Sequence, residues 1–202
     1  MKRLALLSAL LISTAALPAY AAEPVAGLAI PDRPTNNVIM IYNTNPAEQC
    51  FRAAQDGLNL KFGLEHCNTA MRNPLAIYRA QTVVNRGIIR YDMGDLDGAL
   101  NDFTNALDFN PSLGDAYLNQ ALVLVAQKRG PEALAAINQG IALGAANLQI
   151  AYYARGMIED DAGRYAQAYR DYRQALRIKP GYQPAEREIT RFKVVPRASQ
   201  TQ

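Results

Sequence analysis

Cys50, Cys67 and His66 are the residues of this chain best suited to chemistry, and their spacing decides among three uses. A zinc site needs four ligands, and no convincing fourth accompanies these three. A dithiol redox centre keeps its thiols close, usually as C-x-x-C, whereas these lie 17 apart (67 − 50). A structural bridge fits better. The midpoint of the pair, (50 + 67)/2 = 58.5, falls within Gly57-Leu58-Asn59. Two short helices over 46–57 and 61–72, folded back at that turn, bring the sulfurs together, because residues equidistant from a hairpin turn face each other. Pro46 suits the first position of the first helix and Pro74 marks the end of the second. Closing a loop of this length contributes about 3 kcal/mol. The acidic run Glu159, Asp160 and Asp161 is a poor acid/base pair, since consecutive helical positions point in different directions. A phosphate loop, G-x-S-x-G and H-E-x-x-H are all absent. No enzymatic activity, cofactor or metal is expected.

The ends of the chain set its expected compartment. Lys2 and Arg3, the apolar run Leu4 to Leu17, and Ala19-Tyr20-Ala21 read as a secretory signal over 1–21, cut before Ala22. That run is shorter than the roughly 20 residues that span a bilayer. The expected product is periplasmic or secreted, without stable membrane insertion, and there a cysteine pair oxidises. Loss of Lys2 and Arg3 lowers the net charge from +3 to +1 (3 − 2), so the pI of 8.9 overstates the basicity of the mature chain. The repeats carry no basic stripe, and nucleic acid is not an expected partner. Arg187, Arg191, Lys193 and Arg197 read as the solvated face of a terminal helix.

Five further segments follow the signal. Residues 22–45 form an extended linker with Pro24, Pro31 and Pro34, in which Val38 to Ile41 is an apolar run suited to docking as an extended strand. The hairpin occupies 46–74, helical repeats 75–182, a capping helix 183–195 and a fraying tail 196–202. In the cap, Ile189 and Phe192 are placed to cover the last repeat.

The repeats show in residue types. Gly87, Gly94, Ala99, Phe103, Ala106 and Pro111 recur as Gly156, Gly163, Ala168, Tyr172, Ala175 and Pro180, each 69 residues later. That distance is 34 + 35, and a middle copy carries Ala121, Ala133, Ile137, Gly140 and Ala145. Such a period marks an array of helix pairs. Small residues let two backbones cross closely, and the aromatic fills the wedge between them. Gly94-Asp95 and Gly163-Arg164 mark the turns inside two of the pairs, the middle glycine being displaced to Gly130. The pattern resembles the tetratricopeptide repeat family, with units 80–113, 114–147 and 149–182 and residue 148 inserted. Gly63, Cys67 and Ala70 repeat the second-helix spacing, which makes the hairpin a candidate degenerate unit.

The resemblance implies an all-α solenoid whose first helices line a concave groove for a partner peptide or helix. Carried over by position, that groove takes Gln81, Asn85, Ile88 and Tyr91 from the first unit. It takes Asp115, Asn119 and Leu122 from the second, and Ile150, Tyr153 and Met157 from the third. No lysine stands where some relatives grip a C-terminal carboxylate, and Arg86, Arg90 and Arg155 are expected to face the next repeat. An apolar or aromatic anchor suits the groove better. The expectation is an exported, monomeric, non-catalytic adaptor for another protein; the alternative is a constitutive subunit of a cell-envelope complex.

Overall fold

A computed structural model describes residues 45–72 and 79–192. The signal, the linker up to Thr44, Pro74 and everything from Lys193 onward lie outside the described residues. Among the described residues there are nine helices and no strand. They are α1 (Pro46–Asp56), α2 (Leu60–Met71), α3 (Arg79–Asp92), α4 (Leu96–Phe109) and α5 (Gly114–Ala126), followed by α6 (Gly130–Ala142), α7 (Leu148–Asp161), α8 (Tyr165–Ile178) and α9 (Gln183–Ile189). Each odd helix from α1 to α7 packs on the even helix that follows, and each pair packs on the next.

Local chemistry sets the boundaries. Asn45 Oδ1 accepts from the Ala47 N–H at 3.0 Å and Pro46 opens α1. Gly57 ends it in the left-handed conformation. Asp95 caps α4 by accepting from the Gly98 N–H at 3.0 Å. The turns inside the later pairs share one hydrogen bond, Asp95 N–H to Arg90 O, Arg129 N–H to Leu124 O and Arg164 N–H to Glu159 O, each 2.8 Å. That turn requires a positive φ one residue earlier. Gly94 and Gly163 supply it at 84° and 74°; in the middle unit Lys128 does so at 61°. The displaced glycine expected at Gly130 therefore does not make the turn; it opens α6 instead.

Close helix crossings account for the small residues. A Cβ on Gly87 would sit 2.7 Å from the Phe103 ring, and one on Gly156 would sit 2.7 Å from Tyr172. The middle unit replaces those pairs with Ala121 and the smaller Ile137, both buried. Two apolar clusters result. One joins the hairpin to the first repeat through Ile89, Ala99 and Phe103, with Ala116 and Val123 of α5. The other joins the later repeats and α9. Leu100 packs against both.

The hairpin sulfurs of Cys50 and Cys67 stand at bonding distance, with Cα atoms 4.8 Å apart. The terminal helix ends at Ile189, short of the expected 195, because the chain turns back there. Arg191 reaches Asp160 at 2.9 Å, and the Phe192 ring lies 5.7 Å from Tyr169 and 5.9 Å from Tyr172.

Candidate protein-interaction face

The first helices α3, α5 and α7 stand side by side, and the repeat register sorts their residues into rows. Ile88, Leu122 and Met157 form one row, at spacings of 34 and 35; Val84, Leu118 and Tyr153 form another. Asn85 and Asn119 share a third. A carboxamide can both donate and accept, which is what an extended main chain requires of its neighbours.

The expected groove residues do occupy the first helices, but their exposure is low. Asn85, Ile88, Tyr91, Asn119, Leu122, Ile150, Tyr153 and Met157 are buried, Asn119 completely. Only Gln81 and Asp115 are half-buried. Tyr153 belongs to an aromatic stack, 5.9 Å from Tyr172 and 5.7 Å edge-on to Tyr182. Asp115 Oδ1 accepts from the Ala146 N–H at 2.9 Å, tying the start of α5 to the end of its own unit. Burial raises its pKa, against that hydrogen bond, which lowers it. Asp92, at the end of α3, is pushed up to about 6 by burial. Burial and then the Asp92 charge raise neighbouring Tyr91. Beyond this face, a cavity of about 970 Å³ opens at the C-terminal ends of α5 and α7, lined by Val125, Lys128, Met157, Asp160, Arg164 and Arg191 among others.

The arginines serve a different purpose from the one expected. Arg86 donates to Asp102 of its own unit through Nε at 3.0 Å and Nη2 at 2.6 Å, and through Nη1 to Asn68 of the hairpin at 2.9 Å. Arg155 repeats the motif on Asp171, at 2.8 and 2.7 Å, and on Asn138 of the preceding unit at 2.8 Å. Arg90 adds a third donor to Asp102 at 3.0 Å. They therefore face their own second helix, and Arg86 and Arg155 also reach the preceding unit. The sequence signal for this was present: Arg86, Gln120 and Arg155 each precede the small crossing residue. His66, the other chemistry-bearing residue, stacks edge-on against Phe62, ring centroids 4.2 Å apart.

Family models described as tetratricopeptide repeat match residues 84–147 and 149–182. The chain is a tetratricopeptide repeat protein. No curated protein matches it. Among solved structures, a crystal structure of MamA is similar at 19% identity, covering 69% of this chain and 80% of that one with a TM-score of 0.60. The first repeat domain of Spaghetti (RPAP3), bound to the HSP90 peptide SRMEEVD, is similar at 23% identity, covering 55% and 88% with a TM-score of 0.53. The second repeat domain of human RPAP3, in complex with the HSP70 peptide SGPTIEEVD, is similar at 21% identity, covering 56% and 93% with a TM-score of 0.52. No helix among the described residues is long and apolar enough to cross a membrane.

Proposed function

We propose that this tetratricopeptide repeat protein is an exported, non-catalytic adaptor that holds an extended peptide or helix of a partner protein against the concave face of α3, α5 and α7. The observation that carries this reading is the register of that face. The helices α3, α5 and α7 align Ile88, Leu122 and Met157 in a buried row beside the paired amides Asn85 and Asn119, and Gln81 and Asp115, half-buried, are the more accessible of the expected groove residues. Such an array suits an apolar segment whose main chain needs hydrogen bonds. Two similar structures hold peptides ending in EEVD. No lysine stands at the groove positions named above to grip such acids, which favours an uncharged or apolar partner segment. Export is supported by the sequence of residues 1–21 and by a cysteine pair at bonding distance, which suits an oxidising compartment.

A photo-crosslinking residue at Gln81, half-buried on α3, is compared with one at exposed Asn101 on α4. Adducts to a partner protein in the cell envelope from position 81 alone are expected. Adducts from position 101 alone would transfer the contact to the outer face. That second reading, a permanent complex subunit, is favoured by Phe109 at the end of α4 and Tyr165 at the start of α8, both exposed.

A further inference from the structure

The two junctions between repeat units are built differently at their turns. Between the first and second units, Gln127 Nε2 donates to Asp97 Oδ1 at 2.8 Å, and Leu96 packs against the apolar cluster that contains Val123. Between the second and third units, Ala162 and Pro131 take the places of the tie (127 + 35 and 97 + 34). Gly130 and Ile158 take those of Leu96 and Val123 (96 + 34 and 123 + 35). Both side chains of the tie are therefore gone, and so is the leucine. The cavity of about 970 Å³ opens at this second junction, and Gly130, Pro131, Ile158 and Ala162 all line it. The backbone does not force the space open, since a Cβ on Gly130 would meet Ile158 Cγ2 at 3.5 Å, an ordinary contact. A cavity of this size holds a large side chain or a drug-sized group.

Its lining is part apolar and part cationic. Val125, Leu134 and Ile158 are half-buried, and exposed Tyr165 adds a ring. Of the three cations, Arg164 pairs with Glu159, and Arg191 pairs with Asp160 at 2.9 Å and with Glu188. The lining carboxylates, Asp160 and Asp161, are both engaged. Lys128 differs: it is exposed, and its ammonium has no partner among the described residues. It also holds φ at 61° where Gly94 and Gly163 make the same turn in the other units. Glycine would make that turn without strain, so the turn does not explain the lysine. Strained backbone of this kind collects at ligand sites.

We propose that this cavity is an anchor pocket for a partner protein, taking one apolar side chain of a peptide segment while Lys128 pairs with a carboxylate beside that side chain. This rests on the adaptor reading above and adds a contact outside the groove positions. Charge sets the chemistry of the segment. The two arginines already face carboxylates, so a run of acids finds little to pair with, whereas a single acid matches the one unpaired ammonium. A basic segment would meet Lys128 with like charge. The apolar wall then selects the neighbouring residue, because a side chain of leucine or phenylalanine size is covered there and a polar one is left without partners.

The probe is a random dodecapeptide phage library panned on the full chain. The expected enrichment is an apolar or aromatic residue next to a single Asp or Glu. The most enriched sequence is then made with a fluorescein label, and its Kd is read by anisotropy. Lys128→Gly restores the glycine of the other units, and Gly130→Leu refills the space as Leu96 does. Each should weaken binding at least tenfold at unchanged helicity. Replacing the peptide's acid by its amide should weaken binding to the parent about as much, and to the Lys128→Gly chain hardly at all, because the pair is already broken there. If Gly130→Leu fails to fold, the Lys128→Gly cycle still decides. A basic or acid-free motif overturns the proposal, and so does no enrichment or a peptide whose Kd neither variant changes. Failure of the adaptor reading alone looks different: the peptide binds through Lys128, which supports the pocket, yet the crosslinker at position 81 finds no partner.

Discussion

Asp102 is completely buried and accepts from two guanidiniums, whereas Asp171 accepts from one. Between them the middle unit has Ala136 at the same register (102 + 34 and 171 − 35), and there Arg86 and Arg155 are matched by Gln120. Arginine and aspartate therefore leave together, as they must, since a buried charge stripped of its partner is costly. What all three units keep is the link backward. Gln120 Nε2 donates to Thr104 Oγ1 at 3.1 Å, where the arginines reach Asn68 and Asn138. Asp102→Ala strands the Arg86 and Arg90 guanidiniums and should cost about 3 kcal/mol. Adding Arg86→Gln reproduces the middle unit's solution and should recover about 1 kcal/mol of that loss. Urea unfolding of the single and double variants measures the difference. A double variant no more stable than Asp102→Ala would show that the two residues are not coupled.

Within elements, the sequence revealed most where sterics force a residue type. Gly87 against Phe103 and Gly156 against Tyr172 are contacts that no larger residue permits, so the period is written in the sequence. The hairpin was half legible: Gly63 stands at its crossing, where a Cβ would meet Ala53 at 2.2 Å, whereas the acceptance by Asn68 from Arg86, matching that by Asn138 from Arg155, was not. Contacts between residues sixteen apart, such as Arg86 with Asp102, depend on how two helices cross, so the shared register of Arg86 and Arg155 signalled a common role without naming the partner. The low exposure of the concave face was equally hidden, because the type of a residue such as Asn119 does not say what covers it. The middle turn misled for a simpler reason, since Lys128 holds a conformation expected of glycine. A non-glycine residue in the left-handed region costs about 1–2 kcal/mol, part of which glycine returns as unfolded-chain entropy. Lys128→Gly should therefore stabilise the protein by about 1 kcal/mol, seen as a higher urea midpoint at unchanged slope. A lower midpoint would mean that the lysine stem earns its place by packing.

Across the whole molecule, the question is how far a disturbance at one end travels. Each unit packs on its immediate neighbours, and stability in such an array is close to a sum of units and interfaces. Two apolar clusters, joined through Leu100 and the α5 residues Ala116 and Val123, divide the stack near its centre. The Cys50–Cys67 pair holds the first cluster's end, with Cys50 Sγ 3.8 Å from the Thr82 carbonyl of α3. Replacing both cysteines by alanine removes a constraint on the unfolded chain worth about 3 kcal/mol. It should act locally first. Amide exchange is expected to accelerate most in α1 and α2, less in α3, and not in α7 and α8, whose cluster contains no residue of the hairpin. Equal acceleration from α1 to α9 would overturn this, because it would require the two clusters to open as one cooperative unit.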